Sequence, residues 1–240
     1  MAKYKDVFID FDDTLYNTRG NAQIALGELF HHYDFGRYFR TEEDFYVPYW
    51  KVNLELWTLY AQGKITREQL IIDRFLRPLS LGRDADGNPM PLSEERILEI
   101  SDYFLDCCAC KPGVIDGAHE LVQYLIQKGY RLHMCSNGFH EVQFRKLKAC
   151  GMQDSFHTVV LSEYAGVNKP HPDFFNYAFQ ASGAQPESTI MIGDNFETDI
   201  RGAQGVGLVV IFFYAHPESF QSPAPVTYEV NTLRQIMDIL

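Results

Sequence analysis

Five short runs of apolar, β-branched and aromatic residues punctuate the chain: DVFID (6–10), RLHMCS (131–136), TVVLS (158–162), TIMIGD (189–194) and LVVIFF (208–213). Each closes on a polar or glycine-bearing stretch. Within the runs hydrophobicity is nearly continuous. A strand buried on one face alternates, whereas a strand buried on both does not, as in a parallel sheet covered by helices. Helical patterns lie among the last four runs: GAHELVQYLIQKG, HEVQFRKLKACG, PDFFNYAFQASG and DIRGAQGVG. This alternation predicts an α/β fold with a doubly wound parallel sheet.

Between the first run and the second lie roughly a hundred residues without a strand pattern, far beyond an ordinary βα connection. They read as helices. NAQIALGELFHHY is the first, and TEEDFYVPYWKVNLELWTLYAQG the second, with Pro48 near its start and Gly63 as its C-cap. The third begins at Thr66, where T-R-E-Q has capping-box spacing. A fourth begins at Ser93, with Glu94 and Glu95 in a first turn that the helix dipole favours. The predicted organisation is a core from residues 1–17 and 110–240, interrupted by a helical domain at 18–109.

Composition narrows the function classes. A chain of 240 residues with 46% hydrophobic content suits a packed core with an inserted domain. A net charge of −11 argues against nonspecific binding to nucleic acid or anionic membrane. A phosphate ester remains an acceptable ligand, but only beside a local cation or a divalent metal. Cys107, Cys108, Cys110, Cys135 and Cys150 lack secreted-type or zinc-site spacing, which suggests reduced thiols in a cytoplasm. MAKYKDVFIDF carries no signal-peptide core, and no stretch reaches membrane-spanning length.

The chemistry begins where the first run ends. VFIDFDDTLYNT places Asp10, Asp12 and Asp13 within four positions. Like charges this close repel, so the arrangement costs stability unless a cation compensates it. Two apart at a strand end, Asp10 and Asp12 point to one side and Asp13 away; Thr14 sits at the turn. Three later stretches match this position. CSNG places Ser136 and Asn137 after the second run, GVNKPHPDFF places Lys169 after the third, and MIGDNFETDIRGA places Asp194 and Asp199 after the fourth. All fall at the carboxyl ends of parallel strands, where open α/β sheets bind ligands.

The order D-x-D-x-T, S/T, K-P, G-D-x-x-x-x-D resembles the haloacid dehalogenase superfamily, and the likeness runs the whole chain. It implies a Rossmann-like core, a four-helix cap inserted after the first strand, and a sheet with that strand central beside the fourth. It also implies Mg²⁺, held by the Asp10 carboxylate, the Asp12 backbone carbonyl and Asp194. By the same resemblance Asp10 is the nucleophile that forms an aspartyl-phosphate and Asp12 the general acid and base. Ser136 and the N–H groups near Asn137 bind phosphoryl oxygens, and Lys169 offsets charge on nucleophile and phosphate. Thr14 and Asp199 support this set.

A dehalogenase needs no acid for an alkoxide and no metal for phosphate, so Asp12 and Asp194 favour phosphoryl transfer. A phosphomutase shares the four motifs. A signalling receiver domain also gathers acids and a lysine, but is shorter and uncapped. Among phosphatases, SNGF, LSEYAGVNKPHPDFFNYAF, GDNFETDIRGAQGVG, APVTYEV and the cap segment WTLYAQGKITREQLIIDRF resemble the noncanonical pyrimidine 5′-nucleotidases. That resemblance implies a nucleoside monophosphate substrate; a sugar phosphate or phosphoglycolate is the alternative. The expected partner is a small phosphorylated metabolite, with no nucleic acid or membrane, bound by a cytoplasmic monomer or homodimer. Trp50, Asn53, Trp57 and Tyr60 form a stripe at helical spacing in the cap. Packing of the helical bundle is its expected role, and stacking on a base the alternative.

Overall fold

The computed structural model of the protein describes residues 4–214 and 224–240. Its sheet is built from β1 (Asp6–Ile9), β2 (Arg131–Ser136), β3 (Thr158–Leu161), β4 (Thr189–Gly193), β5 (Val209–Phe213) and β6 (Tyr228–Val230). All neighbours pair in parallel, in the order β3-β2-β1-β4-β5-β6. In β1, Val7 stands level with Leu132 on one side and Ile190 on the other. The near-continuous hydrophobicity has its cause in this arrangement. Val7, Ile9, Leu132, Met134, Ile190, Ile192 and Ile211 pack into one apolar cluster. The alternate positions Phe8, Cys135, Met191, Val210 and Phe212 pack into another, so the central strands are buried on both faces. β6 escapes the hydrophobic pattern because it is a three-residue edge strand with Glu229 exposed.

The chain divides into two compact units, Met1–Thr18 with Pro112–Leu240, and Arg19–Lys111. The second is helical. It comprises α1 (Thr18–His32, its first residue belonging to the core unit), α2 (Glu42–Ala61), α3 (Arg67–Leu79) and α4 (Glu94–Ala109). Its starts are set locally. Thr41 with Asp44 and Thr66 with Gln69 form reciprocal capping boxes, and the Ser93 hydroxyl accepts from the Arg96 N–H. Two details differ from the sequence expectation. Pro48 lies well inside α2, and Gln62 is the C-cap; Gly63 follows it at φ 67°. The core of this unit draws on Phe45, Tyr49, Phe75, Ile97, Ile100 and Phe104.

The stripe on α2 is offset from that core. Phe45, Tyr46, Tyr49 and Leu56 are the buried positions of α2, whereas Trp50, Asn53, Trp57 and Tyr60 are half-buried. Trp50 packs on the edge of the cluster and donates to Gln23 at 3.0 Å. Trp57 meets Tyr60 edge to face at 5.7 Å. Bundle packing is therefore mainly the work of a neighbouring face, because 3.6-residue periodicity admits adjacent stripes and does not choose between them.

In the core unit, α5 (Ala118–Gln127), α6 (His140–Ala149), the short α7 (Ser162–Ala165), α8 (Pro172–Ser182) and the short α9 (Gly202–Gly205) accompany the strands. A π-helical segment, Phe196–Arg201, precedes α9. β2 and β4 flank β1 although the chain visits β3 between them, so the strand order reverses at β1 and leaves a crevice beyond its carboxyl end. No helix among the described residues is long and apolar enough to cross a membrane.

Candidate active site

Asp10 directly after β1, Ser136 at the end of β2, Lys169 in the loop after α7 and Asp194 directly after β4 all lie at the carboxyl edge of the sheet. Lys169 is the hub. Its ammonium, 2% exposed, donates to Asp10 Oδ1 at 2.7 Å, Asp199 Oδ1 at 2.6 Å and the Cys135 carbonyl at 2.7 Å. Three acceptors satisfy its three protons. Burial alone would lower its pKa, but the charges of Asp10 and Asp199 and their hydrogen bonds outweigh that and raise it. The backbone of Lys169 is clamped as well. Asn137 Oδ1 accepts from its N–H at 2.8 Å, and Asn137 Nδ2 donates to its carbonyl at 3.0 Å. The side chain of Asn137 thus holds the lysine loop through both its polar atoms.

Thr14 closes the other side, donating to Asp10 Oδ2 at 3.1 Å and Asp194 Oδ1 at 2.9 Å. Asp199 is held by the Asn195 N–H at 3.1 Å. A Cβ on Gly193 would fall 2.5 Å from the Asp199 carboxylate, so the glycine before Asp194 is what lets the two acids approach. Carboxylate oxygens of Asp10, Asp194 and Asp199 lie within 4.8 Å of one another.

Three carboxylates and one ammonium leave this cluster with a negative excess. Burial pushes the Asp10 carboxyl up to about 7 against the pull of Lys169, with Asp199 and Asp12 adding to the rise. Burial, Asp10 and Asp199 push Asp194 well above the carboxylate range. Buried anions without enough countercharge, all presenting oxygen, suit a hard divalent cation. Mg²⁺ fits this donor set.

Asp12 goes elsewhere. Its carboxylate accepts from Thr18 Oγ1, Gln143 Nε2 and Lys146 Nζ, each at 2.5 Å. Burial favours its neutral form, but the Lys146 ammonium and these hydrogen bonds outweigh that, holding the carboxyl below its ordinary value. Gln143 Nε2 also donates to Ser136 Oγ at 2.6 Å, and the Gly138 N–H donates to the same oxygen at 2.9 Å. Ser136 therefore keeps its O–H to donate. Asp13 takes a left-handed conformation at φ 60°, which aspartate tolerates, and its N–H bonds the Tyr16 carbonyl.

Gln143, Lys146 and Thr18 were not anticipated from sequence. The signal was present in HEVQFRKLKA, where the buried stripe of α6 is Val142, Gln143, Lys146 and Leu147. Two polar residues in an apolar register require buried partners.

The model of the haloacid dehalogenase-like hydrolases matches residues 4–207. The chain belongs to this family. Among solved structures, the magnesium-bound HAD-hydrolase YfnB from Bacillus subtilis superposes on this hydrolase with a TM-score of 0.84 and 25% identity, covering 99% of each chain. The pyrimidine 5′-nucleotidase YjjG of Escherichia coli is 30% identical over 99% of this chain and 98% of its own. A glyceraldehyde 3-phosphate phosphatase of Methanopyrus kandleri is 32% identical over 98% of this chain and 97% of its own.

Proposed function

We propose that this hydrolase is a Mg²⁺-dependent phosphomonoesterase that prefers nucleoside 5′-monophosphates with a pyrimidine base. One observation carries the phosphatase reading: the nucleophilic carboxylate, Asp10, shares a buried cluster with Asp194, Asp199 and Lys169 that is two positive charges short of neutrality. A carboxylate that only displaced halide would need no such deficit.

Asp10, the Asp12 carbonyl and Asp194 would hold the metal, which supplies charge to offset the phosphoryl group. An Asp10 oxygen attacks phosphorus, the bond to the leaving alkoxide breaks, and Asp12 passes a proton to that oxygen. Asp12 then takes a proton from the water that attacks phosphorus, which releases phosphate and regenerates Asp10. Lys169 stays protonated and holds Asp10 in place, Ser136 donates its O–H to a phosphoryl oxygen, and the N–H groups near Asn137 share that role.

For the substrate, support comes from the motif stretches shared with the noncanonical pyrimidine nucleotidases and from the likeness to YjjG. The Arg19–Lys111 unit contributes no member of the acidic cluster, and we assign it the role of a cap that selects the leaving group. The likeness to a glyceraldehyde 3-phosphate phosphatase favours a second reading, a small sugar phosphate. All five cysteines stand outside disulfides, in keeping with a reducing cytoplasm. The test is phosphate release with Mg²⁺ across nucleotides, sugar phosphates and phosphoglycolate. Nucleoside 5′-monophosphates should lead, pyrimidines first. A panel led by triose or hexose phosphates overturns the nucleotidase assignment, and release of phosphate from no ester overturns the phosphatase one.

A further inference from the structure

We propose that Lys146 and Gln143 are positioning residues for the acid–base carboxylate of Asp12, locking its orientation from α6; this rests on the phosphatase reading above. Both side chains are buried, Gln143 at 0% and Lys146 at 7% exposure, and stand three residues apart on one face of α6. Between them they engage both oxygens, Lys146 at Oδ1 and Gln143 at Oδ2, while Thr18 adds a second donor to Oδ1. A carboxylate gripped at both oxygens cannot rotate about its terminal bond without breaking a hydrogen bond. The same Gln143 amide donates to Ser136 Oγ, so one side chain sets both the acid–base group and the phosphate-binding hydroxyl.

Two further features belong to this arrangement. A Cβ on Gly138 would fall 2.1 Å from Gln143 Nε2, so the glycine of the SNG stretch makes room for the amide. The Lys146 ammonium stands 5.2 Å from the centre of the Tyr16 ring, a cation–π contact that adds to its fixed position. A buried ion pair is a weak source of stability, since apolar replacements of similar volume are often neutral. What this pair supplies is direction, and direction governs proton transfer.

The test separates orientation from folding through leaving-group dependence. para-Nitrophenolate leaves without a proton, whereas the alkoxide of an alkyl phosphate needs one. In Lys146→Met the pre-steady-state release of para-nitrophenolate should stay within about twofold of wild type. Turnover of a nucleoside or alkyl phosphate should fall about 10- to 100-fold, the usual scale for lost supporting contacts, with KM little changed. Phosphoenzyme should accumulate, because its hydrolysis also needs Asp12. Lys146→Arg should recover much of the loss, and Gln143→Leu should lower alkyl ester turnover while also raising KM for both ester types, because Ser136 loses its support as well. Equal slowing of para-nitrophenolate release and alkyl ester turnover would mean a merely structural role and overturn the inference, as would undiminished alkyl ester turnover in Lys146→Met. Wild-type protein inactive on every ester would instead bring down the phosphatase reading, and this inference with it.

Discussion

β1 carries a buried carboxylate at each end, and the two have opposite fates. Asp6 opens the strand at 1% exposure; Asp10 follows its close at 6%. Asp6 meets His133 Nε2 at 2.9 Å and the Arg131 guanidinium at 2.8 Å, donors presented by the start of β2. Asp10 meets one lysine, and shares it with Asp199 while Asp194 stands beside them. At the amino end of the sheet one acid has an arginine to itself and a histidine ring beside it. At the carboxyl end three acids have one lysine. A buried charge neutralised by its neighbours is architecture, whereas a buried charge left in excess can do work on a ligand.

The largest expected effect breaks that contrast outright. Asp10→Asn should abolish turnover and phosphoenzyme, a loss on the order of 10⁴- to 10⁶-fold as for removal of a catalytic nucleophile. Asp6→Asn should leave kcat within about twofold, because orientation at the far strand end is untouched. Steady-state assays on both variants check this, and equal losses would refute it.

Metal binding sharpens the contrast next. Mg²⁺ should raise the melting temperature of the wild type, by the equivalent of about 2.7 kcal/mol at a hundredfold excess over Kd, and exhaustive chelation should remove both this gain and the activity. Asp194→Asn should lose the Mg²⁺ response. It should also melt higher than wild type in the metal-free state, because a carboxyl whose folded pKa is raised costs stability once pH exceeds its unfolded value. Thermal unfolding with and without Mg²⁺ reads both effects.

Asp6→Asn should move stability the other way, by about 1–3 kcal/mol, because it weakens the charge-assisted bonds to Arg131 and His133. Urea unfolding measures it, and a stabilised variant would contradict the comparison.

The smallest effect is on pH dependence. Burial lowers the His133 pKa, with Asp6 pulling it up and Arg131 and His157 pushing it down. The folded state holds the neutral ring while the unfolded chain binds a proton below about 6.5. Stability from this residue is thus present above that pH and lost as pH falls toward the depressed folded value, at a rate of no more than about 1.4 kcal/mol per pH unit. His133→Gln should flatten the pH dependence of urea stability between neutral and mildly acidic pH.

Much of this was legible along the chain, for local reasons. The five long strands announced themselves because burial on both faces demands unbroken hydrophobicity. The starts of α3 and α4 were legible because a cap is written within four residues, Thr66 to Gln69 and Ser93 to Arg96. β6 was not, since three residues with Glu229 exposed carry too little pattern to stand out from a loop.

The chain by itself determined which residues end the strands, and hence that Asp10, Ser136, Lys169 and Asp194 would face one edge of a parallel sheet. Only tertiary structure decided what each would touch. Asn137 turned its amide to the Lys169 backbone, 32 positions away, and Asp12 turned its carboxylate to Gln143 and Lys146, 131 and 134 positions away. Periodicity reports that a position is buried and on which face. The group waiting across from it is set by strand order, by register and by which helix packs over the strand end, and those are properties of the assembled sheet.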